Sequence, residues 1–153
     1  MQTRREMLAR SAKVAGLLAA AGFLPMSALA AWPQAAFDAK NMAEAVKALG
    51  GTGAPTESKD VTITGPDIAE NGAVVPVGVA TSLPGVKRLL LLVEKNPSVL
   101  AAVFDVTDSI EPNLNTRVKM GQSSNVFAVA MMNDGRVLYA SKEIKVTLGG
   151  CGG

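Results

Sequence analysis

The stretch VFAVAMMNDGRVLYASKEIKVTL, residues 126–148, decides the fold class. Residues Val126 to Met132 are apolar without interruption, too short for a buried helix and bounded by turn-forming residues. Asn133-Asp134-Gly135 follows, and an Asp-Gly step between two apolar runs is a strong hairpin signal, because glycine enters the left-handed region without strain. From Arg136 the chain returns as a strand. Its end sets Ile144, Val146 and Leu148 in alternation with Glu143, Lys145 and Thr147, the period of two expected of a half-covered strand.

Working outward, the same kind of segment recurs upstream. Leu100 to Val106 and Arg117 to Met120 read as strands, each closed by Pro, Gly, Asn or Ser clusters. Leu89 to Val93 is a continuous apolar run that fits a strand buried on both sides. Val75, Val77 and Val79 share a face, with Pro76 marking a bulge or an edge. Val61 and Ile63 alternate with threonines. Seven short strands with no helix between them predict a mainly β fold, an antiparallel sandwich of immunoglobulin-like kind, over residues 54–148. Before it, Ala35, Ala39, Met42, Val46 and Leu49 recur at helical spacing, with Asp38, Lys40, Glu44 and Lys47 between them. Residues 31–53 are therefore expected to hold one amphipathic helix of about four turns, ended by Gly50-Gly51-Thr52-Gly53 and Pro55.

The composition excludes more than any motif does. The 153 residues are 48% hydrophobic and 18% charged, about one domain's worth of core. There is no histidine and a single cysteine. A Ser-His-Asp triad, a Cys-His pair and an ordinary zinc, haem or blue-copper site are thereby excluded, as is an intrachain disulfide. The formal charge is +2, but Arg4, Arg5, Arg10 and Lys13 stand against Glu6 alone in residues 1–30. What remains is near neutral, so there is no electrostatic footprint for nucleic acid.

Those first thirty residues have the order of an export signal: a basic region, an apolar segment from Val14 to Leu24, and Ala28-Leu29-Ala30 as a small-residue cleavage site. Arg4-Arg5, preceded by Thr3 and followed by Met7 and Leu8, resembles the twin-arginine motif, with Met7 where the motif prefers phenylalanine. Cleavage between Ala30 and Ala31 is expected, releasing the mature chain from the membrane. The competing reading is an uncleaved anchor, against which stand Pro25, Ser27 and a segment made of alanine and glycine. Twin-arginine export moves folded proteins, which suggests a partner subunit acquired before export.

Candidate chemistry in the body is thin. Asp105 with Asp108, and Asp67 with Glu70, fall in turns and loops where carboxylates cap or face solvent. Met131-Met132 with Met120 could suggest copper, but adjacent strand residues face opposite ways and methionine commonly fills cores. Lys87-Arg88 reads as a solvated pair at the start of a strand.

The tail differs. Residues 149–153 are Gly149-Gly150-Cys151-Gly152-Gly153, so the single thiol has two glycines on either side. Glycine lacks a Cβ and fixes no shape of its own, so the segment reads as a slim, flexible arm. It extends about 10 Å from Leu148 to Cys151 at about 3.3–3.6 Å per residue. Such an arm can enter a narrow cleft in another protein. No base, cation or helix terminus adjoins Cys151, so its pKa is expected near the free value of about 8.5, and activation must come from a partner. Sulfur is a natural cargo, since thiols form persulfides and mixed disulfides.

A twin-arginine-like leader, a helix, a β-rich body and the ending Gly-Gly-Cys-Gly-Gly together resemble the SoxY family, the sulfur-carrier subunits of the bacterial thiosulfate-oxidising (Sox) system. The resemblance implies a sandwich that forms a heterodimer with a second small β protein, SoxZ. It implies that Cys151 accepts thiosulfate through a c-type cytochrome, giving a cysteine S-thiosulfonate, and that a manganese hydrolase then releases sulfate and leaves a persulfide. Where present, a molybdenum–haem sulfur dehydrogenase oxidises the remaining sulfur. All metals and redox centres then sit in the partners, and this chain holds no cofactor. The expected function is a periplasmic sulfur carrier that catalyses nothing alone. The alternative is an exported β-sandwich interaction module whose Cys151 serves only an interchain disulfide.

Overall fold

The run from Leu89 to Val93 lies in strand β5 (Val86–Val93), and its side chains divide between two cores. Leu89, Leu91 and Val93 face one way, Leu90 and Leu92 the other, and all five are fully buried. A strand apolar on both faces requires a layer on each side, and that requirement sets the architecture.

The computed structural model describes residues 4–20 and 33–148. The chain divides into two units, Met1–Trp32 and Pro33–Gly153. In the second, β5 pairs antiparallel with β6 (Leu100–Asp105) and β8 (Ser124–Met132), and β8 pairs antiparallel with β9 (Val137–Leu148). Two short strands, β1 (Pro55–Glu57) and β3 (Ile68–Asn71), flank the far side of β9, giving a six-stranded sheet ordered β1-β9-β8-β5-β6 with β3 also on β9. A second, antiparallel sheet has the order β2-β4-β7, with β2 (Val61–Thr64), β4 (Val75–Thr81) and β7 (Asn113–Val118). The main core lies between the sheets, where Val75, Val77 and Val79 of β4 meet Leu89, Leu91, Val126, Ala128 and Ile144. This is the expected mainly β sandwich.

The hairpin closes as its residues require. Met132 O accepts from Gly135 N–H at 3.2 Å, Gly135 takes φ +90°, and Met132 N–H donates to Arg136 O at 2.9 Å, a three-residue loop ending in left-handed glycine. Pro76 is accommodated because β2 ends opposite Gly78, leaving no ladder partner for Pro76 on that side.

Three expectations are corrected. The single four-turn helix is two short ones, α2 (Gln34–Phe37) and α3 (Met42–Ala48), on the outer face of the six-stranded sheet. The break is made by Asn41, whose extended backbone (φ −152°, ψ 169°) and side chain cap α3 by accepting from Glu44 N–H at 2.9 Å. Glu44 in turn accepts from Lys40 N–H at 2.8 Å. Ala36 is fully buried and Ala35 exposed, while Ala39, Val46 and Leu49 enter the second core as the spacing required. Gly50 ends α3 with φ +82°, its N–H bonded to Lys47 O and that of Gly51 to Val46 O.

There are nine strands among the described residues rather than seven, and β1 and β3 pair with β9 in parallel. Each is short and mostly polar, so neither carries a period that a sequence reading could detect. Strand β7 starts at Asn113 rather than near Arg117; it is an edge strand whose Asn, Thr and Arg side chains mask the alternation.

In the first unit, α1 (Arg4–Ala20) carries Arg4 and Arg5 in its first turn. No helix among the described residues is long and apolar enough to cross a membrane.

Candidate functional site: the root of the C-terminal arm

Strand β9 delivers the chain to Leu148, three residues before Cys151. Its first half is held by β8 and β1, its second half by β8 and β3. Along β3 the register sets Ile68 beside Lys145, Ala69 beside Val146 and Asn71 beside Leu148. Ala69 and Ile144 are buried in the inter-sheet core, which gives this corner its apolar anchor.

Hydrogen bonds then fix β9 up to its last residue. Lys145 N–H donates to Asp67 O at 3.0 Å, Thr147 Oγ1 to Glu70 O at 3.0 Å, and Gly72 N–H to Leu148 O at 2.8 Å. Gly72 O accepts from Met120 N–H at 2.7 Å, tying this turn to the loop after β7. That loop is braced in its turn. Val146 N–H donates to Ser123 Oγ at 2.9 Å, and the Asn96 side-chain amide donates to Lys119 O at 2.7 Å. The root is thus enclosed by two turns, residues 71–74 and 119–123, and backbone bonds reach it from both.

One ion pair reinforces the corner. Lys142 Nζ lies 2.6 Å from Asp67 Oδ1. The Lys142 ammonium, by its hydrogen bond and its charge, lowers the Asp67 pKa below the ordinary carboxylate value. Asp67 is exposed, so this is a surface pair of modest weight. Asp134 in the hairpin is lowered similarly, first by the backbone N–H of Arg136 and then by its side chain.

The sequence-predicted site residues fall into three groups. Arg4 and Arg5 lie in α1. The cleavage residues Ala30 and Ala31, and the arm Gly149, Gly150, Cys151, Gly152 and Gly153, lie outside the described residues. The carboxylates and methionines set aside as chemistry have structural places: Asp105 pairs with Arg88, Asp67 with Lys142, Met131 packs under the helices, and Met120 and Met132 pack between the sheets. Among the described residues no group of three or more His, Cys, Asp and Glu side chains converges to hold a metal ion. The residues that hold the root, namely Asp67, Gly72, Asn96, Ser123 and Lys142, carry no sequence signal, since they act through pairings distant in the chain.

Distance decides where the thiol can act. A cavity of about 510 Å³ opens beside α3, bounded by Met42, Val99, Phe127 and Tyr139. Tyr139 and Leu148 lie on one extended strand, nine residues and so about 30 Å apart at about 3.3 Å per residue. The arm reaches about 10 Å. Cys151 therefore cannot enter that cavity, and it works at the opposite end of the sandwich.

The family model described as "Sulfur oxidation protein SoxY" matches residues 46–151, ending on the cysteine itself. The structure of the sulfur carrier protein SoxY from Chlorobium limicola f thiosulfatophilum is similar at a TM-score of 0.63 with 37% identity, covering 69% of this chain and 96% of that one. Superoxide reductase (neelaredoxin) from Ignicoccus hospitalis is similar at a TM-score of 0.51 with 22% identity, covering 56% of this chain and 78% of that one, a likeness of fold alone. No curated protein sequence matches.

Proposed function

This chain belongs to the SoxY family and has a carrier role in sulfur oxidation, and we propose that Cys151 is the atom-level site of that role. The observation that carries the reading is the family match itself, which spans both sheets and ends at Cys151. The fixed root at Leu148 supports it, because a short arm delivers its thiol to a defined place only if its attachment point does not move.

The chemistry balances without a base or metal from this chain. The Cys151 thiol and thiosulfate join through a new S–S bond, releasing one proton and two electrons to a c-type cytochrome partner. The product is Cys151–S–S–SO₃⁻. Water then attacks the terminal sulfur in a hydrolytic partner, breaking the S–SO₃ bond. Sulfate and two protons leave, and the persulfide Cys151–S–S⁻ remains. Further oxidation of that sulfur belongs to a third partner. The glycines of residues 149–153 give the thiol clearance, and this subunit holds and presents the adduct while partners catalyse.

The leader, with Arg4-Arg5 in α1 and the alanines before residue 31, supports a periplasmic location reached by the twin-arginine route, with a SoxZ-type subunit bound as a heterodimer.

Intact-mass spectrometry of the periplasmic protein from cells given thiosulfate, before and after reductant, tests the reading. Reductant-sensitive masses of a thiosulfonate or of added sulfur are expected on the terminal peptide, and the Cys151→Ser variant should carry none. Adducts that persist in Cys151→Ser would place the carrier site elsewhere. Only free thiol and disulfide dimer in the wild type, with thiosulfate turnover confirmed, would favour the interaction module.

A further inference from the structure

The position of Cys151 constrains the enzymes that act on it, a consequence that rests on the carrier reading. Cys151 is three residues beyond Leu148, so their Cα atoms lie within about 10 Å of each other whatever path the chain takes between them. Leu148 itself is fixed, its carbonyl bonded to Gly72 N–H and its Cα in register with Asn71. Any reacting atom that meets the thiol must come almost as close to Leu148. A folded enzyme cannot do so without laying the lip of its active site on the end of the sandwich.

That end is equipped for contact. Four large apolar side chains in residues 33–148 remain exposed, namely Ile68, Val74, Ile110 and Leu148. Two of them stand at the root: Leu148, 71% exposed, and Val74, 53% exposed, in the turn that begins at its ladder partner Asn71. Their backbone is held, so ordering them on contact costs little beyond their own rotamers. Glu70 and Lys119, both exposed and of opposite charge, stand close to the same two turns and supply a polar rim. Apolar contacts within a polar rim are the usual anatomy of a protein interface.

We infer that Val74 and Leu148 form a docking face for the enzymes that modify Cys151. Each such enzyme has its reacting atom at the foot of an entrance no deeper than about 10 Å, with an apolar lip that seats on these two side chains. Because one thiol on one short arm serves every step, the same face serves each enzyme in turn, and only one can occupy it at a time.

The test compares Val74→Asp and Leu148→Asp with Ile110→Asp, a control at the opposite end of β4, where Thr81 N–H bonds Pro112 O. Each is made in the mature protein with the subunit that co-purifies with it, and each is checked for an unchanged thermal midpoint. Loading is measured with thiosulfate and the thiosulfate-oxidising c-type cytochrome, and intrinsic thiol reactivity with 5,5′-dithiobis(2-nitrobenzoate). Val74→Asp is expected to lower kcat/KM for loading about tenfold or more, with the reagent rate unchanged and Ile110→Asp like wild type. If Leu148→Asp perturbs folding, Val74→Asp alone decides. Wild-type loading in a folded Val74→Asp would overturn the docking face and leave the carrier reading intact. Absence of loading at Cys151 in the wild type would overturn both.

Discussion

Glycine on both sides of Cys151 is the feature that separates a carried thiol from an ordinary one. A Cβ-branched residue there would narrow the backbone angles available and add bulk inside a partner's entrance. Gly150→Val or Gly152→Val is expected to leave the thermal midpoint unchanged and to slow partner-dependent turnover by about tenfold, an estimate from the loss produced by small misplacements of a reacting group. Wild-type turnover in both variants would remove the need for slim neighbours. The attachment point was legible in the sequence because it is local: one thiol, four glycines and a position just past the last strand. The residues that fix its root were not. Asp67 and Lys142 meet across a parallel pairing, and neither looks different from any surface charge until β3 and β9 are adjacent.

At the scale of elements, β3 is the piece that makes β9 a pedestal. It has one buried residue, Ala69, and its hold on β9 depends on backbone bonds and on the Asp67–Lys142 pair. Because Lys142 lowers the folded-state pKa of Asp67, the pair stabilises the fold above the ordinary carboxylate range. That contribution is lost as pH falls through the lowered value. Lys142→Met should therefore melt slightly below wild type at pH 7, with the gap closing in acid below about pH 3, under the ordinary Asp value of about 3.9. Thermal melts at the two pH values measure it. A gap that persists unchanged in acid would assign the contribution to the aliphatic stem of Lys142 instead. The helical region shows where reading by element stops: the 3.6 spacing correctly marked a helical face toward the sheet, but Asn41 with Glu44 divides it, and such a cap can sit within an otherwise continuous period.

For the whole molecule, β5 is the shared wall of two cores. Leu90 faces the helices and Leu91 the second sheet, and both are fully buried. Leu90→Ala and Leu91→Ala should each cost about 2–5 kcal/mol by lost transfer energy and cavity formation, read from denaturant midpoints. If the layers form one cooperative unit, both variants shift a single transition. A Leu90→Ala protein that loses helical signal early while the rest keeps its midpoint would make the helices a separate unit. The sandwich was legible because its long strands carry their own pattern, as β5, β8 and β9 do. The parallel additions of β1 and β3 were not, since their reason for being strands lies in an element far along the chain. That same feature governs assembly in time. Strands β1 and β3 are made early and have no ladder partner until β9 arrives, so the sheet closes by a long-range pairing of the kind that slows folding. The last strand to dock is the one that ends at Leu148. A chain halted before that event has its thiol on an unanchored end, so completing the fold and placing the cargo site are a single event.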